Sequence, residues 1–323
     1  MPRSIRLALF GILVAGAAGS ISPGLGQGLL TRPVRLVVGF TAGGPTDVPA
    51  RLIAEKLSVS LAKPVIVENK PGAASMLAIN DVLSQPRNGQ SLWVCTYFDP
   101  LNTLLYRSVR YKISDIAPIT LIAKYDYMVA VSPDNQAKDL GELVEYVRQH
   151  PHELNYGHLG VGSTQNLLAK KLEKIAGMKM NAIPYKGAAD ALREVAAGRL
   201  DLFMGPPLAV MPLYSNQRVK VLAVTGTERL ASAPDIPTVK ESGIPLVGFA
   251  WLGVCAGAGT PQPIIDDLHG KIVPIINSSE YRSLVERSGS IAVSSTPREM
   301  QAVIDETVAD AAPIVEEFKL HME

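Results

Sequence analysis

The sequence predicts an α/β protein of two doubly wound lobes joined by crossing strands around a hinged cleft. Three observations lead there. From Val34 onward, short β-branched runs alternate with amphipathic helical segments, the pattern of a parallel sheet covered by helices. The alternation breaks off and then starts again, giving two series of comparable make-up. At their junctions, near Tyr127–Ser132 and Leu246–Val254, stand apolar segments suited to be strands that pass between lobes. A chain of 323 residues is long enough for two cores. The expected division is 31–129 with 251–323 for lobe 1 and 130–250 for lobe 2.

The elements follow in order. VRLVVG is a strand, and ARLIAEKLSVSL sets Ile53, Leu57 and Leu61 on one helical face. PVIVEN is the next strand, MLAINDVLSQ a helix stopped by the turn signal PRNGQ, and SLWVCTYF a third strand. The second series begins with YMVAVSP as a strand and KDLGELVEYVRQHP as a helix. ELNYGHLG, QNLLAKKLEKIAG, MNAIPYKG, ADALREVAAG and RLDLFMGP continue it as strand, helix, strand, helix and strand. VKVLAVTG and GFAWLGVCAG are further strands, and the remainder is mostly helical. In such a fold, ligands bind beyond the carboxyl ends of the strands.

Residues 1–30 break with this pattern. MPRSIR carries two arginines, LALFGILVAGAAGSI is uncharged, and SPGLGQG is a run of small and turn-forming residues. That is the layout of a cleaved export signal. A cut after Ala17 fits, and sites as late as Gln27 are compatible; without a Cys there, no lipid anchor is expected. The mature chain is expected in the periplasm, as a monomer not embedded in the membrane. A net charge of +1 gives no electrostatic footprint for nucleic acid. Cys95 and Cys255 each lie in an apolar strand-like run and are expected as buried free thiols, a disulfide requiring the two runs to be neighbours. The five histidines are scattered and no CxxC occurs, so neither a metal nor another cofactor is expected.

Two Gly-rich turns carry the binding chemistry. FTAGGPTD, Phe40 to Asp47, joins a strand to a helix, where backbone N–H groups and the helix dipole favour an anion. The phosphate-binding patterns GxxxxGK[ST] and GxGxxG both fail here. With no Lys or Arg to neutralise a polyphosphate, a carboxylate is the better-matched anion for Ala42, Gly43 and Gly44. Thr46 or Asp47 is placed to cap the helix; alternatively Asp47 projects into the cleft and receives a donor or ammonium group of the ligand. YGHLGVGSTQN repeats the device in the second series, with Gly160 and Gly162 in the turn and Ser163 or Thr164 at the cap. One such loop per lobe suits a ligand with a carboxylate at each end. Tyr97 ends one strand; Tyr185 ends another and is able to face the cleft, with Gly205 at a third strand's carboxyl end. A serine hydrolase using Ser163 is the rival from another class. GxSxG fails, however, since Gly162 directly precedes the serine and Gln165 stands two after it. His158, in the preceding strand, is expected to pack or line the cleft. No enzyme is expected.

Taken together, VRLVVGFTAGGPTDVPARLIAEKL, PVIVENKPGAAS, IPYKGAADALREVAAGRLDLFMG and VKVLAVTGTERLASAPDIPTVKESGIP resemble the solute-binding proteins of tripartite tricarboxylate transporters, the Bug family. The resemblance runs from about Arg32 to the end of the chain. It implies a type II periplasmic-binding-protein fold that captures a small carboxylate: a di- or tricarboxylate, an amino acid or an aromatic acid. It implies a carboxylate held largely by backbone amides of Ala42 to Asp47 and Gly160 to Thr164, with Phe40, Ala74, Ser75 and Tyr97 around it. It further implies delivery to a two-subunit membrane permease; a membrane sensor kinase is the alternative partner. The sequence departs from the family pattern at four places. Thr41-Ala42 precede the glycines where Pro-Pro is usual, and PGAAS carries Ala74 and Ser75 in place of glycines. Asn166 replaces a histidine, and Met204 follows Phe203 where Asp is frequent.

Overall fold

A computed structural model describes residues 29–30, 32–287 and 289–322. The expected export signal lies outside the described residues except for its last positions. The chain opens with strand β1 (Val34–Val38), helix α1 (Asp47–Leu61), β2 (Val65–Asn69), α2 (Met76–Leu83), β3 (Ser91–Thr96), α3 (Phe98–Leu105) and β4 (Ile116–Asp126). There follow β5 (Met128–Val131), α4 (Leu140–Gln149), β6 (Asn155–His158), α5 (Thr164–Ala176), β7 (Asn181–Pro184), α6 (Ala188–Ala196), β8 (Leu202–Gly205), α7 (Pro207–Ser215) and β9 (Lys220–Val224). The chain closes with β10 (Phe249–Gly257), α8 (Gln262–Ile276), α9 (Ser279–Glu286), β11 (Ile291–Ala292) and α10 (Pro297–Glu317).

These strands build two sheets, ordered β11-β4-β10-β3-β1-β2 and β7-β6-β8-β5-β9. In the first, β1 runs parallel to β2 and β3, while β10 is antiparallel to both β3 and β4. The second repeats that plan. Strand β6 is parallel to β7 and β8, and β5 is antiparallel to β8 and β9. In each sheet the strand entering from the other sheet runs antiparallel to both its neighbours, and β11 adds an antiparallel edge to the first. The chain leaves the first sheet at Asp126, enters the second at Met128 and returns at Phe249.

Side chains alternating along the strands supply two buried faces per sheet. Leu36 and Val38 of β1 join Ile53 and Leu57 of α1 and Leu268 of α8 in one core. Val37, between them, faces the opposite core with Ile79 of α2 and Ile304 of α10. The second sheet is likewise sandwiched, by α4 and α5 on one face and by α6 and α7 on the other. Helix ends follow local chemistry. Asp139 caps α4 by accepting from Glu142 N–H, Thr296 and Glu299 form a reciprocal capping box on α10, and Gly177 closes α5 at φ 63°.

The two thiols expected free are joined. Cys95 and Cys255 form a disulfide with Cα atoms 5.8 Å apart. The reason is topological: β10 inserts beside β3, with Cys95 opposite Gly253 and Cys255 opposite Trp93, so the two apolar runs are neighbours.

Where the chain changes sheet, Thr225 ties both passages. It exchanges backbone bonds with Tyr127 (Thr225 N–H to Tyr127 O, 2.9 Å) and Gly248 (Gly248 N–H to Thr225 O, 2.9 Å). Its hydroxyl accepts from Tyr127 N–H at 2.8 Å and donates to the Gly248 carbonyl at 2.5 Å. Thr225 is fully buried. Thr225→Val keeps the shape but strands a buried N–H and a carbonyl, so thermal unfolding is expected to show a loss of about 1–3 kcal/mol.

The two units also touch through helices. Leu167 of α5 is buried among Leu101 and Leu105 of α3 and Ile314 and Val315 of α10. Around this contact Lys171 pairs with Asp310 (2.9 Å) and Lys174 with Glu317 (2.5 Å). Among the described residues, no helix is long and apolar enough to cross a membrane, and no cluster of acidic, His or Cys side chains is suited to hold a metal.

Candidate functional site

Where the two units meet, two adjoining chambers open, of about 280 and 190 Å³. Phe98 and Tyr125 form a wall common to both. The smaller is bounded by the first Gly-rich turn, through Phe40, Gly44 and Thr46, with Tyr97 and Trp251 behind. The larger is bounded by the second, through Gly160, Gly162 and Ser163, facing Ala74, Asn102 and Tyr127. The rings of Phe40 and Phe98 lie 6.1 Å apart and those of Tyr125 and Tyr127 5.5 Å apart, so part of the cleft wall is aromatic.

The first turn is organised from within by Asp47. Its buried carboxylate accepts from Gly43 N–H (2.8 Å), Arg51 Nε (2.7 Å) and Asn69 Nδ2 (2.8 Å). Burial alone raises its pKa, but these three donors together hold it below the usual carboxylate value. Asp47 therefore neither projects into the cleft nor caps the helix through its side chain. Thr46 occupies the N-cap position without a side-chain bond. Gly43 spends its N–H on Asp47, and Ala42 is exposed away from both chambers. What this turn presents to the cleft is Phe40, Thr41 and Gly44 to Thr46. Asp47→Ala removes the acceptor shared by three donors; a stability loss of about 2–3 kcal/mol in thermal unfolding is expected, along with weaker ligand binding.

The second turn is pinned by Ser163 and Asn166. The Ser163 hydroxyl donates to the Gly160 carbonyl (2.8 Å) and accepts from Leu159 N–H (3.2 Å) and Asn166 N–H (3.4 Å). It is the cap of α5, and its oxygen is engaged on every side. Asn166 donates to the Val161 carbonyl (2.7 Å) and accepts from the Tyr156 hydroxyl (2.6 Å), so the residue that departs from the family pattern shapes the loop. His158 Nδ1 receives the Gly160 N–H at 3.1 Å and acts as a turn acceptor. Thr164 is fully buried, its hydroxyl outside hydrogen-bond geometry. Tyr185 packs at the margin of the α6–α7 core, and Gly205 is wedged between Val210 and Phe203. Neither lines a chamber; Pro206, one residue on, does.

The third loop is conformationally costly. Ala73, Ala74 and Ser75 have φ of 46°, 49° and 75°, a left-handed stretch that glycine would adopt without strain. Ala74 reaches the larger chamber, while Ser75 is buried under Gly39, where an added Cβ would lie 2.2 Å from the Ser75 oxygen. Beside Ser75 lies Asp99, accepting from Trp93 Nε1 (2.9 Å), Thr96 N–H (3.1 Å) and Thr96 Oγ1 (3.0 Å). Burial pushes the Asp99 carboxyl from 3.8 up to about 7, and the hydrogen bonds only partly offset that. The folded state thus keeps a proton that the unfolded state has released between those two values. Stability is then fullest at the acid end of that window and falls as pH rises through it, by up to about 1.4 kcal/mol per pH unit. Asp99→Asn is expected to flatten this slope in unfolding curves measured from pH 4 to 8.

Phe98, Tyr125, Tyr127 and Met322 are lining residues that pattern reading missed. The two tyrosines flank the passage between sheets, and only the fold turns them toward the cleft.

Among the described residues, none lining either chamber carries a charge. Instead, the N-terminal ends of α1, α3, α5, α6 and α7 reach the cleft, through Thr46, Phe98, Ser163, Ala188 and Pro206. Such ends attract anions by their dipoles and by the N–H groups left free; α7 opens on Pro206-Pro207, which have none, and the Asp47 and Val48 N–H groups of α1 return to the Gly44 carbonyl.

The model of the tripartite tricarboxylate transporter family receptor matches residues 49–320. The chain belongs to this receptor family. BugT of Bordetella pertussis is 28% identical to this receptor over 315 residues, spanning 96% of either chain. Among solved structures, MatC from Rhodopseudomonas palustris with bound malate superposes with a TM-score of 0.73 at 27% identity, covering 88% of this chain and 99% of the other. R. palustris Rpa4515 with adipate gives 0.75 at 31% identity, covering 88% and 97%. The receptor thus has the two-lobed α/β fold of periplasmic binding proteins, each sheet with its helices forming one lobe.

Proposed function

We propose that this receptor is exported and captures a small carboxylic acid lacking an ammonium group in the cleft between its lobes, then presents it to a two-subunit membrane permease. The observation that carries this reading is the convergence of five helix N-termini on a cleft where no described lining residue is charged. An anion finds donors there, whereas an ammonium finds no carboxylate, since Asp47 is engaged inside its own turn. The aromatic walls suit the hydrocarbon between or beside the acid groups. The malate and adipate held by relatives belong to the same chemical class.

Ligand binding favours lobe closure because both lobes contribute to the cleft and contact the ligand together only when shut. A few charge-assisted bonds of about 1.5–3 kcal/mol each, with apolar packing, reach the roughly −8 kcal/mol of micromolar affinity. Ser163 gives the hydrolase alternative no support, its oxygen being committed to the cap. The test is a thermal-shift screen of the mature receptor against mono-, di- and tricarboxylates, aromatic acids and amino acids. An acid at 100 times its dissociation constant is expected to add about 2.7 kcal/mol, with amino acids weaker than the matching acids. A response confined to amines or sugars, or to amino acids above the corresponding acids, sinks this reading.

A further inference from the structure

Beyond Glu317 the chain turns back on itself. Phe318 ends α10, Lys319 takes a left-handed conformation at φ 52°, and Leu320 donates its N–H to Val315 O while its side chain enters the α3–α10 core. The next residues lie along the end of α3. Met322 N–H donates to Leu105 O (2.6 Å), and Arg107 N–H donates to Met322 O (3.1 Å), making a parallel bridge with Tyr106. Two backbone bonds thus fix residue 322 on the first lobe.

Its side chain enters the larger chamber, beside Asn102, Tyr106 and Tyr127. It also meets the second lobe. A Cβ built on Gly162 would stand 3.0 Å from Met322 Cε and 2.7 Å from Leu105 Cδ1, so the second-lobe turn sits directly against this methionine. Position 322 lies outside residues 49–320 matched by the family model. The wall it makes is therefore not part of the matched family pattern.

We propose that Met322 is a specificity-determining residue of this receptor: held to the end of α3, its side chain is the wall that sets how long an acid the second-lobe chamber accepts. This rests on the carboxylate reading of the cleft. A thioether side chain suits such a wall, being unbranched, polarizable and able to follow a ligand's hydrocarbon. Shortening it opens depth along the chamber; replacing it with a ring removes depth.

The experiment measures binding of the straight-chain α,ω-dicarboxylates from succinate to suberate by calorimetry, for the wild type, Met322→Ala and Met322→Phe. The expected result is a wild-type optimum at one chain length, moved to a longer acid in Met322→Ala and to a shorter one in Met322→Phe. Each methylene of mismatch is worth about tenfold in affinity. An unchanged length profile in both variants, with the wild type binding, overturns the assignment of Met322 and leaves the carboxylate reading standing. A wild type that binds no acid of the series leaves the carboxylate reading to the wider screen of mono-, tri- and aromatic acids, and Met322 is then judged without ligand. Unfolding temperatures are compared for Gly162→Ala, Met322→Ala and the double variant. If Met322 walls the chamber against the turn, Gly162→Ala lowers the unfolding temperature less once the methionine is shortened. Purely additive shifts there overturn the assignment.

Discussion

Replacing Cys95 and Cys255 together by alanine is expected to lower the unfolding temperature by roughly 8 °C. The bridge spans a sequence separation of 160 residues, and closing a loop of that length removes about 5 kcal/mol of chain entropy from the unfolded state. Both sulfurs are buried between sheet and helices, with Met300 and Ile304 of α10 in the same core, so reductant added to the folded protein is expected to act slowly. Thermal unfolding of the double variant beside the oxidised parent measures the effect. A fall of less than about 3 °C would show that the unfolded chain gains little freedom from losing the bridge. Binding of the acid at low temperature should survive, because the bridge lies within the first-lobe sheet and lines neither chamber.

The second large effect concerns Gly162. A leucine there has nowhere to go: its first carbon already falls 2.7 Å from Leu105, which is 1% exposed and locked in the α3–α10 core. The turn would have to lift off the first lobe and carry the start of α5 with it. A loss of at least about a hundredfold in ligand affinity is expected, equivalent to about 2.7 kcal/mol. Each lobe should keep its own core, so far-UV circular dichroism should be unchanged while calorimetry loses the binding heat. Wild-type affinity in Gly162→Leu would mean that the turn does not seat on Leu105 and Met322 when the ligand is held.

Much of the fold was legible because strands such as VRLVV and helices such as α1 carry their periodicity openly. Strand β4 escaped because Pro118 interrupts its run; the sheet accommodates the proline opposite Cys255, next to a register shift in the pairing with β10. Helix α3 escaped because it has only eight residues and contains Pro100. The two Gly-rich turns could be picked out by their glycines, but not which of their residues face the cleft. Asp47 looked available until Gly43, Arg51 and Asn69 were found around it. Cys95 and Cys255 gave no sign of pairing because adjacency depends on β10 inserting between strands formed long before it. Met322 gave none either: nothing local in LHM predicts that the chain returns to Leu105.

The arrangement of the first sheet also sets an order in time. Residues 128–224 contain every strand of the second sheet in one continuous stretch, so that lobe can assemble as soon as it has emerged. The first lobe cannot. Its strands β3 and β4 are neighbours only through β10, and β10 arrives after the whole second lobe has been made. The half of the molecule that begins the chain is thus the half that finishes folding, waiting with an open slot between two apolar strands. Long-range pairing of that kind is slow and leaves strand edges exposed meanwhile, which makes the interval before β10 docks the period when this receptor is most open to aggregation and most in need of a chaperone.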